Sequence, residues 1–273
     1  MLTSTVSAGA EPMYDVDDDA RSKVPPAILA FWIVKIVATT LGETGGDALS
    51  MSLHLGYAVS SLIFLGFFLV TLAAQVKSSH YHPLFYWLVV VATTTVGTTT
   101  SDYFDRTLGL GYIKSSVILL AAVIAILFAW RASTGAIKVD HITSRKNEIF
   151  YWVTILVSNT LGTALGDFAA DDAGLGFQRG ALVFAALIAV VALAYFFTRI
   201  PRSALFWAAY VLTRPLGATL GDTLTKPADH GGFNLSRISS SLVMAAAMAV
   251  LVAVTSLRKR PEAGRPTREQ AVT

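Results

Sequence analysis

The fold is decided by a stretch of sixteen residues at positions 32–47, WIVKIVATTLGETGGD. It begins with Trp32, has Gly42 ten residues later, and ends with Asp47 after five more. Tryptophan, glycine and aspartate recur at the same offsets in residues 87–102 (WLVVVATTTVGTTTSD), 152–167 (WVTILVSNTLGTALGD) and 207–222 (WAAYVLTRPLGATLGD). Four copies of one pattern indicate an internal repeat, and an internal repeat determines the architecture.

The segments around these stretches are too apolar for a soluble domain. The 273-residue chain is 54% hydrophobic and only 14% charged, whereas soluble domains have about a quarter charged residues. Uncharged runs such as 117–130 and 181–197 are typical of segments that lie in lipid. Their lengths predict eight spanning helices, at about 26–46, 51–76, 83–102, 109–131, 148–167, 176–199, 203–222 and 235–257.

Each repeat contains two predicted spans, so all four repeats cross the membrane in the same direction. The expected fold is therefore an all-α polytopic membrane protein with eight transmembrane helices, built from four parallel two-helix repeats. The transmembrane domain is predicted at 25–257, with repeats at about 26–76, 83–131, 148–199 and 203–257. A disordered cytoplasmic tail, 1–24, precedes it, and a basic cytoplasmic tail, 258–273, follows. The repeats form either a ring of four hairpins or two halves of two.

Charge predicts the orientation in the membrane. Of the 21 lysines and arginines, fourteen fall on the side of the termini, five on the opposite side, and Lys35 and Arg214 inside spans. The positive-inside rule then places both termini in the cytoplasm of a multi-pass protein, which we expect in a bacterial inner membrane. Basic residues gather on the cytoplasmic side of membrane proteins, so the net charge of +3 does not require a nucleic-acid partner. We expect the lipid bilayer as partner and no nucleic acid. The oligomeric state stays open.

The complete pattern resembles a bacterial membrane-protein family of four tandem repeats of unknown function, with two transmembrane segments and one tryptophan in each repeat. Four tryptophans carry the resemblance, Trp32, Trp87, Trp152 and Trp207, and it covers nearly the whole chain between the tails. It implies the eight-span topology and names no activity. We expect the tryptophans themselves to belong to an interfacial aromatic belt.

Small and polar residues occupy two neighbouring faces of each odd-numbered helix. Pairs such as Gly42 and Gly46, four residues apart, allow close helix packing in lipid. Beside them runs a stripe of hydroxyl and acidic residues, which includes Thr98 and Thr163. Within this stripe we expect an ion pathway lined by Glu43, Asp47, Thr95, Asp102, Thr160, Asp167 and Asp222. A single threonine can also bond its own helix backbone, so packing alone is the alternative.

The four aspartates allow two interpretations. They can pair separately with basic residues near the starts of the even helices, at Lys114, Arg179 and Arg237. Alternatively, Asp47, Asp102, Asp167 and Asp222 converge as metal ligands, since an all-oxygen acidic site suits Mn²⁺, Mg²⁺ or Ca²⁺. Cysteine is absent, which excludes thiolate metal sites and disulfides.

Two basic residues interrupt the repeat inside the membrane. Lys35 stands where the other repeats have Val90, Ile155 and Tyr210, and we expect it to reach the cytoplasmic interface. Arg214 lies deeper, about 15 Å from the start of its helix. A buried arginine needs a partner, and Glu43 is the expected one because it is the only non-repeated acid in the stripe.

These features predict a transporter or exporter of a small cation, with divalent Mn²⁺ as a candidate, in which Glu43 and Arg214 act as a gate or coupling pair. No catalytic residue and no cofactor are expected, because no nucleophilic triad, HExxH or phosphate-loop motif is present. Two alternatives remain: a non-transporting membrane scaffold or sensor, and an intramembrane enzyme, which the evenly spread acids disfavour.

Overall fold

The computed structural model describes residues 22–78, 80–137, 142 and 144–257. Within these ranges the chain has no strand and forms eight α-helices, one for each predicted span: α1 (Leu29–Asp47), α2 (Gly56–Lys77), α3 (Pro83–Asp102), α4 (Tyr112–Thr134), α5 (Arg145–Asp167), α6 (Gly176–Phe197), α7 (Arg202–Thr225) and α8 (Arg237–Leu257). The two predicted tails lie outside the described residues, except for 22–24.

Three of the four odd-numbered helices continue beyond their aspartate as a π-helical turn, at Ala48–Ser52, Tyr103–Thr107 and Phe168–Asp172. Helix α7 has no such turn and is followed by a short 3₁₀ turn, Ala228–His230. The first π turn explains why α2 begins five residues later than predicted. The chain can enter α2 only at Gly56, whose φ of 73° suits glycine.

The four odd-numbered helices form a closed inner ring. Helix α1 packs against α3, α3 against α5, α5 against α7, and α7 against α1. The four even-numbered helices lie outside this ring, and each packs on the inner helix of the following repeat: α2 on α3, α4 on α5, α6 on α7, and α8 on α1. Of the two predicted arrangements, this is the ring of four hairpins, with interlocked repeats.

Close packing of the ring depends on the repeated glycines. Positions are counted here from the central glycine of each repeat, as position 0. A Cβ at position 0 would meet the residue at position −3 of the next repeat, in the pairs Gly42 with Thr94, Gly97 with Asn159, Gly162 with Arg214, and Gly217 with Thr39. The predicted packing role of these glycines is confirmed.

The outer surface is suited to lipid. Large apolar side chains of the even-numbered helices are exposed, among them Phe128 and Phe196 at 75% and Val70 at 70%. All four outer helices are long and apolar enough to cross a membrane, as is the inner segment Arg145–Asp172. The other inner helices are more polar because their threonines, glycines and acids face one another inside the ring. The fold is that of an all-α polytopic membrane protein.

One end of the ring, which we call the aromatic end, is closed by eight aromatic side chains. The aromatic residue at position −11 packs on the tryptophan at position −10 of the next repeat. The ring-centroid distances are 5.7 Å for Phe31 and Trp87, 5.5 Å for Tyr86 and Trp152, 6.1 Å for Tyr151 and Trp207, and 5.6 Å for Phe206 and Trp32. Hydroxyls of Tyr86 and Tyr151 share a 2.7 Å hydrogen bond.

This closure corrects the expected aromatic belt. Trp87, Trp152 and Trp207 are buried between the inner helices, and so they pack within the protein and do not face lipid. Ser22 and Val24 are also buried at this end, and Lys23 Nζ lies 3.0 Å from Glu148 Oε2. The last residues of the predicted disordered tail therefore belong to the packed domain.

Candidate ion site on the ring axis

The four repeated aspartates lie at the opposite end of the ring, the acidic end, and all four are buried. Two basic residues neutralise them in pairs. Arg106 contacts Asp102 through Nε at 3.0 Å and Asp167 through Nη2 at 3.3 Å. Lys226 Nζ lies 3.0 Å from Asp47 Oδ2 and 3.3 Å from Asp222 Oδ1. All four aspartates are ion-paired, though with other basic residues than most of those expected. Of the four predicted metal ligands, Asp47 and Asp222 come together with Glu43, whereas no such group in the described part of the chain includes Asp102 or Asp167.

Arg106 and Lys226 occupy the same position, +9, in the second and fourth repeats, where the first and third repeats have Met51 and Asp171. The fourfold repeat is therefore reduced to a twofold pattern at the acidic end. Each bridging cation stands four residues after the aspartate of its own helix and reaches the aspartate of the next repeat around the ring.

Arg214 occupies the centre of the ring. It is fully buried, and its Nη2 donates to Glu43 Oε2 at 2.9 Å, to Thr163 Oγ1 at 2.7 Å, and to the hydroxyl of Thr98. These three acceptors all stand at position +1, one on each of the other inner helices. The predicted pair of Glu43 with Arg214 is confirmed, and α7 runs through Pro215 as one helix.

Three carboxylates come close enough to share one ion. One oxygen each of Glu43, Asp47 and Asp222 lie within 4.8 Å of one another. Asp47 Oδ1 is buried and has no hydrogen-bond partner in the described part of the chain. Asp222 Oδ1 is also buried and accepts no hydrogen bond there, although it forms an ion pair with Lys226 at 3.3 Å. Unused carboxylate oxygens in a buried cluster are the ligands that a hard cation requires. We call these three residues the acidic triad.

A cavity of about 760 Å³ opens onto the acidic end. The four residues at position +9 all line it: Met51, Arg106, Asp171 and Lys226. Each repeat contributes its residue at this position, but the other lining residues belong to the third and fourth repeats, so the cavity lies toward that side of the ring. Arg106 and Lys226, which contact the aspartates, form part of its wall. We call this cavity the vestibule.

The Lys226 ammonium group occupies the position beside the acidic triad that a bound cation would take. Lys226 directly follows α7, and its burial would lower the pKa of the ammonium, but the adjacent Asp222 and Asp47 raise that pKa well above its ordinary value. Lys226 is therefore a protonated, flexible point charge. Arg106 instead binds its two aspartates through two nitrogens of a rigid fork.

Lys35 does not reach the interface, and that expectation was wrong. The residue is fully buried, its Nζ donates to Asn159 Oδ1 at 3.4 Å, and it lies 4.2 Å from the centre of the Tyr210 ring. The ring of inner helices surrounds it, so extension toward water is blocked. It lies one helical turn from the level of Arg214, on the side of the aromatic end.

The other predicted site residues separate into two groups. Glu43, Asp47, Asp102, Asp167, Arg214 and Asp222 meet along the axis, whereas Thr95 and Thr160 donate to carbonyls of their own helix, Val91 and Leu156. Of the basic partners considered for the aspartates, Arg237 contacts one, with Nε 3.4 Å from Asp47 Oδ2. For Lys114 and Arg179 the described residues give no such ion pair.

Sequence reasoning missed Arg106 and Lys226 as bridging residues. The available signal was their shared offset of nine residues from the central glycine in alternate repeats. It also missed Asn159, and it placed Thr98 and Thr163 in the polar stripe without predicting their contacts with Arg214, which depend on the direction of the ring axis.

The chain belongs to the family described as Repeat of Unknown Function (DUF347). The family model matches four consecutive segments, residues 30–81, 85–136, 150–200 and 205–261, and these coincide with the four helix pairs. No curated protein and no solved structure matches the chain.

Proposed function

We propose that this protein transports a small cation along the axis of the inner ring, with a divalent metal such as Mn²⁺ as the favoured substrate. The observation that carries the proposal is the acidic triad, Glu43, Asp47 and Asp222, whose ligand atoms lie within 4.8 Å of one another beneath an open vestibule. We expect neither an enzymatic reaction nor a cofactor.

The chemistry of the triad favours a divalent ion. Three carboxylates supply only oxygen ligands, which suit Mn²⁺, Mg²⁺ and Ca²⁺. Lys226 neutralises part of this charge, so the incoming ion competes with a lysine side chain for the same oxygens. Displacement of that flexible chain into the vestibule opens the site without any rearrangement of helices.

The closed aromatic end supports an alternating mechanism. An ion that enters through the vestibule meets the triad first, then the pair of Glu43 with Arg214, and finally the aromatic residues, including the hydrogen-bonded Tyr86 and Tyr151. Passage beyond the triad requires Arg214 to release Glu43. This pair is therefore the proposed gate, and it closes the path between the vestibule and the aromatic end.

We further propose that the protein resides in a bacterial inner membrane with both termini in the cytoplasm, surrounded by lipid. The distribution of fourteen basic residues against five supports this orientation. The vestibule then faces outward, toward the periplasm.

A flux assay tests the proposal. The full chain is reconstituted in liposomes, and Mn²⁺ entry is followed with a trapped metal-sensitive dye. We expect flux in the wild type, strongly reduced flux in Asp47→Asn and in Asp222→Asn, and wild-type flux in the matched control Asp172→Asn, because Asp172 is exposed and outside the triad. Absence of flux in the folded wild type, or equal flux in all variants, contradicts the proposal.

A non-transporting scaffold is the second candidate. The observation in its favour is that each repeated aspartate has a basic partner, Arg106 or Lys226. On this alternative, the acids hold the ring together and bind no ion. The aspartate variants then lose thermal stability and no variant, nor the wild type, carries Mn²⁺.

A further inference from the structure

The axis between the aromatic end and Glu43 carries unequal charge. Lys35 and Arg214 are both fully buried there. Glu43 pairs with Arg214 at 2.9 Å, while the contacts of Lys35 in the described part of the chain are the neutral Asn159 and the ring of Tyr210. Two cations therefore face one carboxylate, and a buried charge without a counter-charge is strongly unfavourable.

The groups surrounding Lys35 leave this imbalance in place. Helix α3 contributes Val90 and Thr94 at this level, α5 contributes Ile155 and Asn159, and α7 contributes Tyr210 and Arg214. Helix α8, which packs on α1, carries no acid and only Arg237 as a base, at its far end. The described residues place no carboxylate against Lys35, so an anion that keeps its ammonium group charged has to come from outside them.

Several buried polar atoms of the inner helices have no hydrogen-bond partner in the described residues. Between the aromatic end and Glu43 these atoms are Arg214 Nε and Nη1 and the Tyr210 hydroxyl, while Trp207 Nε1 and Glu148 Oε1 belong to the aromatic end and the segment beyond it. At the acidic end they are the carboxylate oxygens Asp47 Oδ1 and Asp222 Oδ1. Since buried polar groups are nearly always satisfied, the donors indicate a ligand that only accepts hydrogen bonds.

We propose that Lys35 and Arg214 hold a small monovalent anion between them, of the size of chloride. Lys35 stands at position −7, but its Nζ reaches Asn159, which stands at the same position −3 as Arg214, so the ammonium group extends to the level of the arginine. Both side chains are fully buried, and a small ion needs the least space beside them.

Anion binding can be tested separately from the proposed cation transport, because Asp47 and Asp222 do not contact Lys35 or Arg214 in the described structure, although Arg214 also belongs to the proposed gate. The anion neutralises Lys35 when Arg214 is paired with Glu43. It also provides Arg214 with a second partner, so that release of Glu43 at the proposed gate does not leave the arginine without a counter-charge.

Chloride binding by the purified full chain tests the inference, with no divalent metal present. Thermal unfolding is measured in sodium chloride and in sodium gluconate at equal ionic strength, and ³⁵Cl NMR line broadening reports binding directly. In the wild type we expect Tm to rise with the logarithm of chloride concentration and the ³⁵Cl line to broaden. Lys35→Met should lose both effects, and the matched control Lys77→Met, on an exposed lysine, should keep both.

A second variant decides the matter if Lys35→Met does not fold. Asn159→Asp places a carboxylate beside Lys35 Nζ, where the amide oxygen now lies at 3.4 Å. This side-chain carboxylate takes over the role of the bound anion. We expect the variant to fold in gluconate and to show neither a chloride-dependent Tm nor line broadening. Identical Tm and line widths for the wild type in both salts, or a full chloride response in Asn159→Asp, would overturn the inference.

Discussion

Arg214 Nη2 lies 2.9 Å from Glu43 Oε2, and this ion pair joins the first and fourth repeats across 171 residues of chain. The same nitrogen also donates to Thr98 and Thr163, so one side chain connects all four inner helices. The repeats are alike in backbone arrangement, but Arg214, which stands where the other repeats have Thr39, Thr94 and Asn159, gives the ring a unique central layer.

Loss of Arg214 should destabilise the fold more than loss of the whole pair. Arg214→Met leaves the Glu43 carboxylate buried and unpaired, which costs about 3–5 kcal/mol. The double variant Arg214→Met with Glu43→Met removes both charges and should recover most of that loss. Thermal unfolding in detergent measures the difference, and a double variant no more stable than Arg214→Met would contradict this role for the pair.

The central glycines should tolerate no side chain. In Gly97→Ala the new Cβ would lie 3.0 Å from backbone atoms of Asn159 and Thr160, which cannot move independently of α5, so we expect a loss of about 1–3 kcal/mol. Gly66→Ala in the outer helix α2 is the matched control, because a Cβ there meets no atom within 4 Å. It should be neutral or stabilising by about 0.5–1 kcal/mol. Equal unfolding temperatures for the two variants would refute the tight ring interface.

Removing one of the two hydroxyls at the aromatic end should lower stability more than removing both. Tyr151→Phe leaves the Tyr86 hydroxyl buried without its 2.7 Å partner, and we expect a cost of about 1–3 kcal/mol. Removing both hydroxyls in Tyr86→Phe with Tyr151→Phe should be close to neutral. The control Tyr195→Phe, on an exposed ring, should leave stability unchanged. Additive losses in the double variant would mean that the two hydroxyls do not act on each other.

Removing the lysine that occupies the acidic triad should strengthen cation binding. Lys226→Met abolishes the contacts of 3.0 Å with Asp47 and 3.3 Å with Asp222, and the freed carboxylates no longer share their charge. We expect Mn²⁺ to bind at least about tenfold more tightly, which corresponds to about 1.4 kcal/mol. Electron paramagnetic resonance titration of free Mn²⁺ measures the affinity, and Lys114→Met, on an exposed lysine, is the control. Unchanged or weaker binding in Lys226→Met would count against this competition.

The sequence predicts the membrane class, the eight helices and the repeat because these depend on local patterns. The length of each apolar segment predicts a membrane-spanning helix, and the constant offsets of tryptophan, glycine and aspartate align the four repeats with one another. The pair of Glu43 with Arg214 was also predictable, since a deeply placed arginine needs an acid and only one non-repeated acid shares its face.

Other features depend on which helices become neighbours, which a periodic pattern does not specify. Packing of each outer helix on the next inner helix, rather than on its own partner, is a tertiary choice. Lys35, whose position near a helix start made it appear accessible, is enclosed by the inner ring. Trp87, Trp152 and Trp207 pack against aromatic residues of the neighbouring repeats and do not lie at the predicted lipid interface. Thr95 and Thr160 share the polar stripe with the aspartates, but only part of that stripe faces the ring axis. Both threonines donate to carbonyls of their own helices instead.

Locating a bound metal tests the central claim most directly. Crystals of the protein soaked in Mn²⁺ and measured at the manganese absorption edge give the ion position by anomalous scattering, independently of any transport assay. We expect one principal peak among the carboxylates of Glu43, Asp47 and Asp222, with the Lys226 side chain displaced. A peak only at the exposed acids of the vestibule, or an undisturbed contact of Lys226 with Asp47 and no peak on the axis, would contradict it.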